Sequence, residues 1–229
     1  MTPNTPSTCP IVVLIGGNGS NLQALIDFQK YHEHPSYHIA GVISHRANAY
    51  GLERAKNAGI PTLTVDHQHY GDRTSFEAAL QTAILSFCPR LVALAGFMRI
   101  LSPDFIEGCS YPILNIHPSL LPDYKGLHTH ERVLAAKEKE TGVSIHFVTH
   151  ELDGGPIAAQ VRVPILPHDT VDTLKVRVFK AEHWLYPQVI MWFAQNRLKI
   201  EQNVVTLDEQ RLTPQGMQLS SLFVQGIVS

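Results

Sequence analysis

The sequence lacks the features that would indicate a nucleic-acid or membrane partner. Acidic and basic residues nearly balance over 229 residues, leaving a formal net charge of −2 and no dense basic run. Apolar runs stay well short of the roughly 18 residues that a membrane-spanning helix needs. The first ten residues have no signal-peptide pattern. We therefore expect a cytoplasmic protein that binds neither nucleic acid nor membrane.

Cysteine is scarce, and the usual marks of a metal site or a covalent nucleophile are missing. Cys9, Cys88 and Cys109 lack metal-binding or redox spacing, so we expect reduced thiols. The sequence contains neither a G-x-S-x-G elbow nor an HExxH motif. His128 and His130 have a spacing found in some metal sites, but they open a predicted helix. We predict no metal and no acyl-enzyme, so the attacking group has to come from a substrate.

Strands and helices alternate along the first half of the chain. Residues 11–15 form a continuous apolar run typical of a strand buried on both faces, and a glycine-rich turn at 16–21 leads into a helical pattern. This alternation predicts an α/β fold with a doubly wound, mostly parallel, Rossmann-like sheet. The predicted strands are 11–15, 38–44, 62–65, 91–95 and 112–117; helices are predicted from 22, at 49–59, at 72–87, from 102 and at about 128–139.

The second half of the chain changes character after Gly142. Residues 143–149 alternate and residues 157–165 are rich in Val and Ile, which predicts antiparallel strands added to the sheet. A helix over about 170–194 precedes two short strands. We expect one domain over 11–216, with a phosphate-binding half up to about residue 110, a flexible tail at 1–10 and another at 217–229.

The glycine-rich turn predicts a small anion site. Gly17 and Gly19 lie between a strand and a helix, where the backbone can approach an anion and the first N–H groups of the helix attract it. The third glycine of the dinucleotide fingerprint is replaced by Leu22, and Ser44-His45-Arg46 stands where an acidic residue would end the second strand. A single phosphate is therefore favoured over a dinucleotide, and a tight turn without a ligand is the alternative.

The stretch Leu114–Pro122 carries side chains suited to catalysis. Asn115 and His117 are two residues apart, so on a strand they point to the same face. An amide and an imidazole can share an oxyanion, and a carboxylate such as Asp153 can hold the imidazole in its charged form. These groups suit acyl-type transfer through a tetrahedral intermediate. A purely structural histidine at a strand end is the alternative.

Four motifs, in order along the chain, resemble those of the phosphoribosylglycinamide formyltransferase family. The resemblance covers about residues 11–216 and rests on Gly17-Asn-Gly-Ser-Asn21, Ala95-Gly-Phe-Met-Arg-Ile-Leu-Ser102, Asn115-Ile-His-Pro-Ser-Leu-Leu-Pro122 and Leu152-Asp-Gly-Gly-Pro156. It implies that the co-substrate 10-formyltetrahydrofolate gives its formyl group to the amine of glycinamide ribonucleotide in de novo purine synthesis. The half of the domain after about residue 110 would then serve folate binding and catalysis.

The resemblance also implies roles for individual residues. Asn115 and a protonated His117 would hold the oxyanion, while Asp153 would orient or charge His117 and relay protons. Glu182, which in its helical pattern would ordinarily be solvated, would meet the ribose hydroxyls. The ribose phosphate would be bound by backbone N–H groups of Gly19, Ser20 and Asn21. The folate would contact Arg73, Met98, Arg99, Ile100, Leu101, Asn115, Thr149 and His150.

The chain departs from the family pattern at four positions outside the catalytic trio. Gly16 stands where members often have serine, which we expect to be harmless beside the phosphate turn. Phe179 replaces a polar contact to the nucleotide, His150 replaces an acidic residue of the folate loop, and Lys125 replaces a proline. We expect Phe179 and His150 to change substrate affinity more than the reaction.

Three other functions fit parts of the pattern. Methionyl-tRNA formyltransferase shares the core but adds a C-terminal domain, for which this chain is too short, and no basic patch for tRNA is evident. Formyltetrahydrofolate deformylase shares the trio and transfers formyl to water, but it typically has an additional N-terminal domain, whereas the first strand here starts by Ile11. The intact trio disfavours a non-catalytic nucleotide-binding module. The expected partners are small-molecule substrates, and the protein is expected to be a monomer or homodimer.

Overall fold

An eight-stranded mixed sheet runs through the protein, whose computed structural model describes residues 8–219. The strands are β1 Cys9–Ile15, β2 Tyr37–Ser44, β3 Thr62–Thr64, β4 Leu91–Ala95, β5 Ile113–His117, β6 Glu140–Phe147, β7 Ile157–Pro164, β8 Leu198–Glu201, β9 Val204–Leu207, β10 Gln210–Arg211 and β11 Met217–Leu219. The helices are α1 Ser20–Tyr31, α2 Tyr50–Asn57, α3 Arg73–Leu85, α4 Pro103–Glu107, α5 Thr129–Ala135 and α6 Val171–Ala194, with a 3-10 turn at His67–His69.

The strand pairing confirms the predicted doubly wound sheet. The spatial order is β11-β7-β6-β5-β4-β1-β2-β3, and β8, β9 and β10 form a separate antiparallel sheet. Pairing is parallel from β3 to β5, while β6 is antiparallel to both β5 and β7, as expected for the second half. The strand order reverses between β1 and β4. Ligands of such sheets bind at the carboxyl ends of the strands beside this reversal.

The continuous apolar run of β1 is explained by burial on both faces of the sheet. Ile11, Val13 and Ile15 pack with residues of α1 and α6, whereas Val12 and Leu14 pack on the opposite face with residues of α3. All five side chains are fully buried, and each such burial contributes about 1.5–3 kcal/mol. Within residues 8–219, no helix combines the length and apolarity needed to cross a membrane.

The two ends of the domain differ from the prediction. β1 begins at Cys9 rather than residue 11, because the Cys9 N–H donates to the Ser36 carbonyl at 2.7 Å and its side chain is buried. Residues 217–219, expected in a tail, form β11, which pairs in parallel with β7. The remainder of the two predicted tails, at 1–7 and 220–229, lies outside the described residues.

Three internal elements also differ from the prediction. The helix expected over 128–139 ends at Ala135, since the backbone of Lys137 turns to a positive φ of 56°. β6 then begins at Glu140, three residues before the expected start, in register with the end of β7. The small sheet after Arg197 has three strands where two were predicted, since the two-residue β10 pairs with β9.

Candidate functional site

Segments singled out from the sequence meet at one edge of the sheet. The glycine-rich turn 16–19 follows β1, the 96–102 segment follows β4, and β5 ends at His117. The loop 148–156, which joins β6 to β7, brings Asp153 to within 3.4 Å of the His117 ring. The first three segments converge because the carboxyl ends of neighbouring parallel strands lie side by side. The 148–156 loop follows the antiparallel β6, which ends opposite Leu114 at the start of β5, and it folds back to bring Asp153 to His117.

Asn115, His117 and Asp153 are brought together as predicted. Asp153 lies between the other two: its Oδ2 is 3.4 Å from His117 Nδ1, and its Oδ1 is 3.5 Å from Asn115 Nδ2. Asp153 has a positive φ of 47°, and the Gly126 N–H donates to its Oδ2 at 2.9 Å. The His117 and Asp153 side chains are only 6% and 8% exposed. Charges in such a dry position interact far more strongly than on a surface.

Burial and hydrogen bonding set the charge states of this pair. Burial lowers the pKa of His117 below its ordinary value, opposed by the Asp153 carboxylate and by the Tyr124 carbonyl, which lies 2.9 Å from Nε2. Burial alone would raise the pKa of Asp153, but the His146 hydrogen bond, the charge of His117 and the Gly126 N–H together hold it below its usual range. A neutral imidazole beside an ionised carboxylate is therefore favoured. The protonated His117 implied by the resemblance needs a proton gained during the reaction.

His146 is a polar residue of this site that was not among the predicted site residues. It pairs with Asn115 in the antiparallel register of β5 and β6 and is 2% exposed. Its Nε2 lies 3.2 Å from Asn115 Nδ2 and 3.5 Å from Asp153 Oδ1. The alternation over 143–149 could indicate which face of the strand His146 occupies, but only the register between strands reveals its neighbours.

The glycine-rich turn has the geometry of an anion cradle. Gly19 caps α1 with a positive φ of 75°, and a side chain there would place Cβ 2.7 Å from the Gly51 Cα. The turn is held by a bond of 3.1 Å from the Gly51 N–H to the Gly17 carbonyl, and Arg54 Nε donates to the Asn18 carbonyl. The first N–H groups of a helix have no partner within the helix. At Ser20 and Asn21 they can therefore serve a phosphate.

Glu182 lies beside this turn and is buried, contrary to the expectation that it is solvated. The residue is 4% exposed, and its Oε2 accepts a bond of 2.7 Å from Asn21 Nδ2. Burial raises the pKa of Glu182 to about 7, with the Asn21 bond and the positive charge of Lys175 opposing the increase. The side-chain oxygen of Asn21 is buried without a partner among the described residues. The Glu182 carboxyl and the Asn21 side-chain oxygen could therefore both bind a polar ligand at the start of α1.

Gly16 is required by its neighbour His45. A Cβ at Gly16 would lie 2.0 Å from the His45 ring, which is buried and packs edge-on against Phe97. Burial, followed by the charge of Arg46, lowers the pKa of His45 to about 4, so the ring is neutral near pH 7. The His45 ring therefore explains why position 16 is a glycine. The sequence pattern alone did not reveal this contact.

The 99–102 segment is fixed to α3 by a polar clamp centred on Glu77. Glu77 Oε1 accepts from Arg73 Nε at 3.0 Å and from the Ser102 N–H at 2.8 Å, and Oε2 accepts from the Ser102 hydroxyl. Arg73 also donates to the Ile100 carbonyl at 2.6 Å. The Arg99 guanidinium lies 5.8 Å from the centre of the Phe76 ring. Arg73, expected near the folate tail, is therefore partly engaged within the protein.

Two cavities divide the residues expected to contact folate. The first, of about 540 Å³, is lined by residues that include Arg73, Met98, Arg99 and Ile100. Met98 and Ile100 present large apolar side chains to this cavity and are 63% and 66% exposed. Leu101 is buried beneath this segment. The second cavity, of about 790 Å³, is lined by residues that include Thr149, His150 and Asp153.

The other residues singled out in the sequence have no shared location in the structure. Lys125 Nζ donates to Glu151 at 2.6 Å and so joins the loop after β5 to the loop containing Asp153. Phe179 packs against His183 with ring centres 6.1 Å apart, in place of the expected polar contact. His128 is exposed, whereas His130 is buried. Within residues 8–219, no group of three or more histidine, cysteine or acidic side chains has metal-binding geometry.

The arrangement can support a reaction that develops negative charge on an oxygen. The Asn115 amide offers a donor, and the imidazole of His117 can accept or donate a proton beside the carboxylate of Asp153. Donors preorganised in a dry site stabilise an oxyanion without reorganisation. The glycine-rich turn after β1, two strands away in the sheet, would anchor one substrate. This combination suits transfer between two bound molecules.

Known proteins share both the sequence and the fold of this chain. A family model described as formyl transferase matches residues 9–190. Phosphoribosylglycinamide formyltransferase of Escherichia coli (strain K12) is 50% identical over 206 residues, covering 90% of this chain and 97% of that protein. The structure of phosphoribosylglycinamide formyltransferase from Coxiella burnetii, in complex with CHES, is 50% identical with a TM-score of 0.89, covering 93% of this chain and 100% of that one. Glycinamide ribonucleotide transformylase 1 from Symbiobacterium toebii is 43% identical with a TM-score of 0.83, covering 87% of this chain and 94% of that one. The resemblance expected from the four motifs is confirmed.

Proposed function

Because the chain belongs to the formyl transferase family, we propose that it transfers the formyl group of 10-formyltetrahydrofolate to the amine of glycinamide ribonucleotide in purine synthesis. The observation that supports this function is the cluster of Asn115, His117 and Asp153. It is combined with 50% identity, over 90% of the chain, to the phosphoribosylglycinamide formyltransferase of Escherichia coli. The chemistry is one-carbon transfer by direct attack, without an acyl-enzyme.

The catalytic trio would act on the oxyanion and the proton. The amine nitrogen attacks the formyl carbon, forming a C–N bond and a tetrahedral intermediate. Asn115 donates to the oxyanion, and His117 helps once it is protonated. The proton leaves the attacking nitrogen, passes through the His117 and Asp153 pair, and reaches N10 of the folate as the C–N10 bond breaks. Asp153, 3.4 Å from the ring, stabilises the imidazolium.

The two substrates would lie on either side of this trio. N–H groups at Gly19, Ser20 and Asn21 would bind the ribose phosphate, and the buried Glu182 would accept from the ribose hydroxyls. The folate would lie along Met98, Arg99, Ile100 and Leu101, with Thr149 and His150 at its pterin end and Arg73 towards its tail. We further propose a cytoplasmic enzyme that uses no metal and acts as a monomer or homodimer.

Asp153→Asn separates catalysis from binding. Asparagine keeps the shape of the side chain but cannot stabilise the imidazolium or carry a proton. We expect turnover to fall by about 10²–10⁴-fold with little change in the KM for the ribonucleotide, as measured by steady-state kinetics. Asp123→Asn, a change of the same chemistry at an exposed position of the loop after β5, is the matched control. A defect confined to KM would rule out the proton-transfer role.

A further inference from the structure

A buried polar network lies behind the loop that follows the catalytic strand. Ser144 on β6 and Gln160 on β7 are 0% and 2% exposed. The Gln160 amide nitrogen donates to the Leu121 carbonyl and to Ser144 Oγ, both at 2.8 Å. Ser144 Oγ donates to the Ser119 carbonyl at 2.7 Å and accepts from the Leu121 N–H at 3.0 Å. Two side chains therefore hold three backbone groups of this loop.

The other side of the same loop contacts the catalytic residues. The Tyr124 carbonyl lies 2.9 Å from His117 Nε2, and the Gly126 N–H donates to Asp153 Oδ2 at 2.9 Å. Within the loop, the Ser119 hydroxyl donates to the Asp123 carbonyl at 2.7 Å. Gln160 on β7 is thus linked, through hydrogen bonds and the backbone of the loop, to the ring of His117 and the carboxylate of Asp153.

We propose that Gln160 is a positioning residue for formyl transfer: its amide fixes the 119–126 loop, and the loop fixes the orientation of His117 and Asp153. The proposal rests on the function proposed above. Within residues 8–219, Gln160 forms no hydrogen bond with Asn115, His117 or Asp153, and it lies in the sheet rather than in a cavity. Gln218 on β11 donates to Gln160 Oε1 at 3.1 Å, so a strand near the end of the described chain joins the same network.

Removing the Gln160 amide would displace the loop, because the Leu121 carbonyl would lose its hydrogen-bond donor. A buried carbonyl left without a donor pays its full desolvation penalty, so the Leu121 backbone would move to find one. The bonds at Tyr124 and Gly126 would lengthen as a result. Displacement of a catalytic group by about 1 Å can reduce turnover by about 10²-fold. The effect would fall on catalysis rather than on ribonucleotide binding, since the phosphate turn lies outside the network. The loop itself lines the second cavity through Leu121, Pro122 and Lys125.

Gln160→Met tests the proposal, because methionine keeps the side-chain length but removes the donor. We expect kcat to fall about tenfold or more while the KM for the ribonucleotide changes by less than about threefold. Burial lowers the pKa of His117 and the Tyr124 carbonyl raises it, so a displaced loop should shift this pKa. A histidine NMR titration would measure the shift, with the His117 signal assigned by a His117→Asn variant. Gln218→Met, which leaves the Gln160 donor in place, should give a smaller change of the same sign.

Val163→Ala is the matched control on the same strand. Val163 is fully buried in the core, so the variant loses packing without touching the network. Unchanged kcat and an unchanged His117 pKa in Gln160→Met would overturn the proposal, as would equal effects in Val163→Ala. The NMR titration needs no substrate. If the wild type proved inactive in the formyl-transfer assay, the proposed function would fail while the positioning of His117 could still be read.

Discussion

The burial of Glu182 would suit a ligand with hydrogen-bond donors, but it lowers the stability of the unliganded protein when the carboxyl is ionised. Its pKa is raised to about 7 because burial disfavours the charge, and the single bond from Asn21 compensates only in part. Ribose hydroxyls could supply donors that the protein itself does not. Under the proposed function, the Glu182 carboxyl would therefore ionise most readily when the ribonucleotide is bound.

Glu182→Gln should make the unliganded protein less sensitive to pH. A raised folded-state pKa means that the wild type is most stable, relative to the variant, at low pH, and that this advantage is lost as pH rises towards 7. We expect the difference in unfolding free energy to change by up to about 3 kcal/mol between pH 5 and 8.5, in favour of glutamine at high pH. Urea unfolding across this range is the measurement. Parallel curves for the two proteins, with Glu201→Gln as an exposed control, would contradict the assigned burial penalty.

Contacts between residues close together in the sequence could be predicted, whereas contacts between distant segments could not. Asn115 and His117 share a strand face by simple alternation, so their proximity follows from the sequence. The burial of Glu182 does not follow, since its helix position alone would leave it in water and only packing against α1 buries it. His146 depends on the register between β5 and β6, and the space taken by His45 at Gly16 depends on the contact between neighbouring loops.

Among the elements, the 96–102 segment owes its position to α3. It has no regular structure before α4, and the clamp of Glu77 with Arg73 and Ser102 supplies what a strand or helix would otherwise provide. Because the same segment exposes Met98 and Ile100, its position decides which apolar surface a folate would meet. Under the proposed function, Glu77 would therefore affect folate binding without touching the folate.

Glu77→Leu should weaken folate binding selectively. Leucine removes the acceptors of Arg73 and Ser102, so the segment loses its anchor while the phosphate turn is untouched. We expect the KM for 10-formyltetrahydrofolate to rise about tenfold and the KM for the ribonucleotide to stay within about twofold, a loss equivalent to about 1.4 kcal/mol. Steady-state kinetics with each substrate varied in turn would measure both values.

The control for that variant is Ile84→Ala, which empties space on the same helix and leaves the clamp intact. If Ile84→Ala raised the folate KM as much as Glu77→Leu, lost stability of α3 would explain the effect and the clamp would have no role in binding. The same would hold if Glu77→Leu raised both KM values equally.

The elements themselves were predicted well where local chemistry marks them. Asp72 and Ser102 cap α3 and α4 through bonds to the N–H groups of Ser75 and Phe105, and both caps are recognisable in the sequence. Helix α5 ends early because Lys137 adopts a left-handed conformation, which no residue preference predicts. The Glu77 clamp joins residues 25 apart and could not be inferred from spacing.

For the whole molecule, alternating strands and helices predicted the sheet, but not its outer strand. Parallel pairing over β1 to β5 follows from the crossover helices, so the cleft could be placed before any contact was known. β11 has only three residues and no distinctive pattern, and it is placed by its pairing with β7, by the bond between Gln218 and Gln160, and by core packing of Met217 and Leu219. Nonlocal pairing of this kind is invisible to periodicity.

The two halves of the sheet would serve the two substrates, with the trio where they meet. The parallel half supplies the phosphate turn after β1, and the antiparallel half supplies His146 and the loop with Asp153. A hydrolase that passes the formyl group to water could use the same trio. A transferase differs in requiring a bound acceptor, which under the proposed function the phosphate turn and Glu182 would hold.

The most direct test is therefore a steady-state assay of 10-formyltetrahydrofolate consumption with and without glycinamide ribonucleotide. We expect turnover that depends on the ribonucleotide, with one formylated ribonucleotide formed per tetrahydrofolate released. Equal turnover in the absence of ribonucleotide would contradict it and would identify water as the acceptor.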